Sequence, residues 1–231
     1  MLIRTEHRID DQEAHSFGKD LVLRTPAGES PTFITLSLIV PPSNLHSRAE
    51  VLNRPSPVPA KNGLYAWYFA DVPQIVSTAG CLTVDGKTLL YIGIAPDKSS
   101  KPNSRQSLLG RVRYHYRGNA EGSTLRRTLG VLLESKSGFP LRRVGSGTRI
   151  TLTHAGERYL DEWMGRNAFV AWMACPEPWV LERELLGKFS CPLNLKDNDH
   201  HAFAPVLRRM RSEALRRARE MPIANEHNQH R

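Results

Sequence analysis

The sequence predicts an α+β fold: a small three-stranded sheet, mixed or antiparallel, with helices packed against it. Three short runs rich in apolar, β-branched and aromatic residues supply the strands: "GLYAWYF" at 63–69, "TLLYIGIA" at 88–95 and "AFVAWMAC" at 168–175. Between and after them, leucines recur at the three- and four-residue spacing of a helix with one apolar face.

Residues 1–52 read as an extension in which "DLVLRT" and "TFITLSLIV", parted by "PAGESP", form a β-hairpin. "RPSPVPAKNG" at 54–63 is a stiff connector with alternate prolines. A catalytic-sized domain is expected over 53–199, and a basic helix and tail over 200–231. Within the domain, "ADVPQIVSTAG" after the first strand is a loop-like insert. Ser107 caps a helix starting "LLGRVRYHY", where Arg111 and His115, four apart, share a face. "GNAEGS" breaks the pattern before "TLRRTLGVLLES", whose leucines 125, 129, 132 and 133 make an apolar face. "LRRVGSGTRITL" is strand-like, and "GERYLDEWMGRN" is a short helix with Leu160 and Trp163 inward. In the helix "WVLERELLGKF" the expected apolar face is Val180, Leu181, Leu185 and Phe189. A compact loop, "CPLNLKDNDHHAF", leads to the C-terminal helix, whose thin apolar stripe of Val206, Met210 and Ala214 packs on the domain.

The charge is distributed unevenly. The net charge is +9, and residues 101–150 alone hold eleven Lys or Arg against two Glu, so the rest of the chain is neutral in sum. A second run, "LRRMRSEALRRARE" at 207–220, has six Arg against two Glu. Clustered positive charge of this kind is the footprint of a polyanion, most often nucleic acid. No apolar run approaches the roughly 20 residues of a membrane span, and the first residues lack the apolar core of a signal peptide. Cys81, Cys175 and Cys191 are odd in number and widely spaced, as expected of reduced thiols in a cytoplasm. Cys191, His200 and His201 do not have the spacing of a zinc site. Nucleotide-binding loops, HExxH and GxSxG are all missing from the sequence.

Two strands carry residues that a plain core strand does not need: a tyrosine and a glycine each, in "GLY" at 63–65 and "YIG" at 91–93. A buried tyrosine wants a hydrogen-bond partner, and a strand glycine marks close approach. In order along the chain follow "RVRYH", with Arg111 and His115, "LERELL", with Glu182, and "CPLN", with Asn194 twelve residues on. Together these elements, over roughly 63–195, resemble the GIY-YIG nuclease family. From about residue 50 the chain further resembles a bacterial branch of that family in "RPSPVPA", "YHYRGNAEGSTLR", "RVGSG" and "LNLKDNDHHAF". Departures are Leu64 for the usual Ile, and two spacings: 26 residues between the tyrosines and 18 from Gly93 to Arg111, each implying an insert.

The resemblance implies an endonuclease hydrolysing phosphodiester bonds in DNA with one Mg²⁺ or Mn²⁺ ion per active site. It implies that Glu182 anchors the ion and Arg111 clamps the phosphate. Tyr65 is then the base that takes a proton from the attacking water, with Tyr91 as its positioning partner. His115 holds or shuttles a proton, and Asn194 completes the set. Gly63 and Gly93 let the substrate or a neighbouring strand come close. Arg105, Arg117, Arg126 and Arg127 are expected to contact phosphates outside the centre, with Arg126 and Arg127 the better placed, since Arg113 faces away from Arg111. Asn198 and His200 either join the site or belong to a packed turn. Singly, each residue has a plainer account: core tyrosines, an exposed Glu182 beside Glu184, a turn-forming Asn194.

Two rivals remain at the level of sequence. One is a nuclease-like fold that binds DNA without cutting. The other is a PD-(D/E)xK nuclease, from "PD" at 96–97 and "ESK" at 134–136, although Glu134 ends a leucine-patterned helix instead of lying on a strand. Double-strand cutting by one metal site is easier for a homodimer.

Overall fold

Ser47 starts the first element. Its hydroxyl accepts from the Glu50 amide while the Glu50 carboxylate reaches back to the Ser47 amide, a capping box that holds the short helix α1 (Arg48–Leu52). After the proline-rich connector, β1 (Gly63–Phe69) runs through the middle of the sheet with all seven residues buried. That burial explains why it reads as a continuous apolar run instead of an alternating one. A two-residue strand β2 (Thr83–Val84) then pairs with β3 (Lys87–Ala95). The turn between them is Asp85–Gly86, both with positive φ (48° and 68°), the mirror-image turn that matches the twist of a hairpin.

The computed structural model describes residues 42–96 and 106–226. The expected N-terminal β-hairpin, Arg105 and most of the second insert lie outside the described residues. Helix α2 (Leu108–Arg117) begins where expected, with the Ser107 hydroxyl accepting from the Gly110 amide. Helix α3 (Thr124–Leu132) is capped in the same way by Ser123, and a one-turn helix α4 (Glu134–Ser137) follows it. The stretch "LRRVGSGTRITL" is a two-stranded ribbon, β4 (Arg142–Val144) and β5 (Arg149–Thr151), separate from the main sheet. Helix α5 (His154–Asn167) buries Leu160 and Trp163 as expected and leads directly into β6 (Ala168–Ala174).

The main sheet has the order β2-β3-β1-β6, and every pairing in it is antiparallel. The three strands expected from the sequence are its body, and β2 is a short fourth strand at the edge. Residues paired across antiparallel strands share a face. The register Tyr65↔Gly93 and Trp67↔Tyr91, with Tyr65↔Trp172 and Trp67↔Val170 on the other side, therefore puts both motif tyrosines on one face. That face is covered by a core that includes Leu108, Val112 and Tyr116 of α2, Leu125 and Leu129 of α3, and Leu160 and Trp163 of α5.

Helix α6 (Pro178–Lys188) packs against β3 and β1 and buries Pro178, Leu181, Leu185 and Leu186. Val180, expected on its apolar face, is 40% exposed, because the buried stripe is centred about a quarter-turn away. Helix α7 (Ala204–Glu220) buries Ala204, Leu207, Ala214 and Ala218 and packs on α3 and β4. Residues 37–231 cluster as one compact unit, and Val51 of α1 is fully buried. Packing thus continues across the divisions expected at 52 and 199. No described helix is long and apolar enough to cross a membrane.

Candidate active site

The two motif glycines have a concrete steric cause. A Cβ on Gly93 would stand 2.5 Å from the hydroxyl oxygen of Tyr65 and 2.6 Å from its Cζ, so the missing side chain is what lets the Tyr65 ring lie across β3. A Cβ on Gly63 would meet the Met173 carbonyl at 2.2 Å and Leu108 Cδ1 at 2.6 Å, so Gly63 lets α2 start against the sheet. In both places the room goes to the protein's own groups. Tyr65 needs that placement because its hydroxyl lies 2.8 Å from His115 Nε2 in the core.

His115 continues the chain. Its Nδ1 lies 2.7 Å from Ser123 Oγ, which accepts from the Arg126 amide at 3.1 Å. Ser123 thus caps α3 and orients the imidazole at once. Burial pulls the His115 pKa well below its ordinary value, and the Arg111 and Arg126 guanidiniums pull it further. The ring is therefore neutral, donating from one nitrogen and accepting at the other, and it links Tyr65 to Ser123 as a single-file proton path.

A buried neutral histidine also makes stability depend on pH. The unfolded chain takes up a proton near the model value of 6.5 while the folded chain does not. The stabilising contribution is thus full above that pH and is lost as pH falls below it, by up to about 1.4 kcal/mol per pH unit. Urea midpoints at several pH values between neutral and acid should show this slope, and it should flatten in His115→Gln. Equal slopes in the two proteins would overturn the assignment.

Arg111 sits one turn before His115 on α2, with its Nη1 donating to the Gly122 carbonyl at 2.9 Å. Glu182 lies on the side of α6 that also carries Pro178, Leu185 and Leu186, and so turns toward the sheet. Glu184, two residues on, points well away from that direction. Tyr91 is buried, and burial pushes its hydroxyl pKa above the ordinary value, with Tyr65 and Glu182 adding to the rise and Arg111 and Arg211 opposing it. The charges of Arg111, Glu182 and Arg211 therefore converge on this one hydroxyl.

Asn194 has a defined structural task. Its Nδ2 donates to the Ile92 carbonyl at 2.7 Å and its Oδ1 accepts from the Ile92 amide at 2.9 Å, while the Leu193 amide donates to the Leu90 carbonyl at 3.0 Å. The "CPLN" segment thus completes the open edge of β3 as a neighbouring strand would, and it fixes the backbone on both sides of Tyr91. Asn198 is fully buried and donates to the Cys191 and Asn194 carbonyls, which closes the turn, and His200 is exposed.

The candidate phosphate contacts divide. Arg117 is exposed and Arg127 is half-buried, holding the Ala120 and Glu121 carbonyls. Arg113 turns to the Val51 and Asn53 carbonyls, away from Arg111 as expected. Arg126 does not match its expected role. It is fully buried, paired with Glu157 Oε2 at 2.6 Å and Asp161 Oδ1 at 2.7 Å, and donates to the His115 carbonyl at 3.2 Å. Its place on the inner face of α3 makes it a strut between α2, α3 and α5, unable to reach a substrate phosphate. Glu134, the pivot of the PD-(D/E)xK alternative, lies on α4 with both carboxylate oxygens on Arg217 of α7, at 2.7 and 2.8 Å. Two residues escape the sequence reading, Ser123 and Arg211. Ser123 carries a signal, a serine just before a helical pattern. Arg211 is one arginine among six in its run, and only the tertiary structure singles it out.

Tyrosine hydroxyls, a guanidinium and a carboxylate gathered at one strand form a site suited to an anionic phosphodiester, the kind found in nuclease-type proteins. The family described as the GIY-YIG catalytic domain matches residues 63–213, and the chain belongs to that family. Its match runs through β1 to the middle of α7, so Arg211 lies inside it. Membership makes this a nuclease-type domain with nucleic acid as its class of substrate. No curated protein and no solved structure matches the chain.

Proposed function

We propose that the protein is a divalent-metal-dependent endonuclease that hydrolyses phosphodiester bonds in DNA. The observation that carries this reading is the convergence of Tyr65, Arg111 and Glu182 on Tyr91.

The site suits a hydrated Mg²⁺ or Mn²⁺, one per site. Among the described residues no group of three or more His, Cys, Asp or Glu forms a closed cage. A single carboxylate, Glu182, is what such an ion needs when waters and substrate phosphate fill the remaining positions. When bound there, the ion supplies Lewis-acid stabilisation of the charge growing on the phosphate oxygens. The chain's own residues do the rest. Tyr65 accepts the proton of the attacking water and relays a proton to His115 Nε2, 2.8 Å away. Tyr91, whose raised pKa keeps its hydroxyl protonated, positions the phosphate or water by donating a hydrogen bond. Arg111 clamps the phosphate with its planar donors. Asn194 keeps Tyr91 and Gly93 in register by holding Ile92. The net charge of +9 favours a nucleic-acid backbone as substrate. A homodimer would cut both strands, and the setting is cytoplasmic.

The test is incubation with supercoiled plasmid, and with branched and single-stranded DNA, in Mg²⁺, in Mn²⁺ and with chelator. Wild type and Glu134→Ala should cut in metal only, and Glu182→Ala should bind DNA without cutting it. Loss in Glu134→Ala with retention in Glu182→Ala would move the site to the PD-(D/E)xK reading. Salt-sensitive binding with no cutting by wild type would make the protein a binding module.

A further inference from the structure

Arg211 stands out among the arginines of α7. Positions 207, 211, 214 and 218 recur at helical spacing, and Leu207, Ala214 and Ala218 are buried against the domain. Arg211 therefore rises from the inward stripe of the helix, where an aliphatic residue is expected. Its neighbours on α7 that carry charge are mostly neutralised: Arg208 by Asp199, Arg216 by Glu213 and Glu220, Arg217 by Glu134. Arg209 and Arg219 point into solvent. Arg211 is half-buried, has no hydrogen-bond or ion-pair partner among the described residues, and keeps its nitrogens open to solvent.

The charged groups around it are Tyr91 and a second guanidinium, that of Arg127. Burial and Arg127 both pull the Arg211 pKa below its ordinary value. Two arginines brought together without a carboxylate repel each other, and a fold keeps such a pair only where an anion relieves it. Around Tyr91, Arg111, Arg127 and Arg211 stand against the one carboxylate of Glu182. Arg111 acts on both Tyr91 and His115, at the proton path, whereas Arg211 acts on Tyr91 and Arg127, on the other flank. The C-terminal helix is held in place for this by its packing on α3 and by the Arg217–Glu134 pair.

We propose that Arg211 and Arg127 form a second phosphate subsite beside Tyr91, which binds a backbone phosphate next to the scissile one and makes α7 a working part of the nuclease site. The inference rests on the nuclease reading of that site and names how its substrate is held.

The experiment uses the full chain with Arg211→Gln, Arg211→Lys and, as a control for the same charge change on the same helix, Arg219→Gln. Plasmid cleavage, thermal midpoint and binding of a duplex oligonucleotide across a salt series are measured, the binding in a Glu182→Gln background with Mg²⁺ present. Arg211→Gln should raise KM about tenfold or more, as expected for a lost charge-assisted contact, while kcat changes much less. It should lower the slope of log Kd against log salt by about 0.9. Its thermal midpoint should hold or rise, since the repulsion with Arg127 is relieved, and Arg211→Lys should recover part of the affinity. Cleavage and salt slope equal to those of Arg219→Gln would overturn the subsite while leaving the nuclease reading intact. A drop in thermal midpoint that accounts for the lost activity would make Arg211 a packing residue and overturn it equally. Wild type that binds without cutting sinks the nuclease reading but leaves the salt slope to decide the subsite. Wild type that neither cuts nor binds takes both down.

Discussion

Arg126→Met is expected to cost about 3–5 kcal/mol of stability, the loss typical of removing one partner from a buried ion pair. The guanidinium is fully buried and holds three elements together: the carboxylates of Glu157 and Asp161 on α5, and the His115 carbonyl at the end of α2. Glu157 is 2% exposed, and its other oxygen accepts from the Ala120 amide at 2.7 Å and Thr151 Oγ at 2.6 Å. With Arg126 gone, that carboxylate stays buried with half its partners missing and its charge uncompensated. A domain of ordinary stability, about 5–15 kcal/mol, loses a large share of it. Arg127→Met, one residue along and half-buried over carbonyl oxygens, should cost far less. Urea midpoints of the two variants against wild type decide the matter. Arg126→Lys should fall between, because a point charge cannot serve two carboxylates and a carbonyl at once. A loss below about 1 kcal/mol for Arg126→Met would mean that α2, α3 and α5 are held by their apolar contacts alone.

Adjacent arginines with opposite fates show where sequence reading stops. "TLRRTL" announces an amphipathic helix, and the leucine spacing places Leu125 and Leu129 inward, where they are. Nothing in the run says which arginine follows them in, because that depends on Glu157 and Asp161 arriving from α5 some thirty residues later. The same limit hid Arg211, whose meaning comes from Tyr91 more than a hundred residues earlier. Local signals fared better. Apolar runs of five to eight residues specify the three main strands, and Ser107 marks the start of α2. The Asp85–Gly86 pair is a hairpin signal in plain sight, passed over when 70–86 is read only as an insert. In α6 the apolar residues outnumber the places facing the sheet, so periodicity alone could not tell that Val180 is left outside. The motif residues were found by resemblance, and the structure adds physical causes. Gly93 exists for the Tyr65 ring, Tyr65 reaches His115, and Asn194 stands in for a missing strand.

Arg111→Ala should lower kcat by about 10²–10³, the range seen when one preorganised donor to a developing charge is removed. Its guanidinium is braced by the Gly122 carbonyl, at the turn just before the α3 cap, so the donor is fixed before substrate arrives. Arg111→Lys should rescue little, since an ammonium offers charge without the planar fork that spans two phosphate oxygens. A second readout separates this from a folding defect. Arg111 is one of the charges that hold the His115 pKa down, so its removal should let that pKa rise toward its ordinary value, although burial and Arg126 still oppose it. Imidazole proton shifts followed through a pH titration would report the change without any turnover. An activity loss under about fivefold would remove Arg111 from the phosphate. An unmoved His115 titration would mean that the guanidinium is too well screened by solvent to act on the proton path, and Arg126 would then be its main electrostatic neighbour. If both effects appear together, one arginine couples the clamp on the phosphate to the neutrality of the histidine. The proton acceptor behind Tyr65 then stays uncharged at neutral pH because the phosphate-binding group stands beside it.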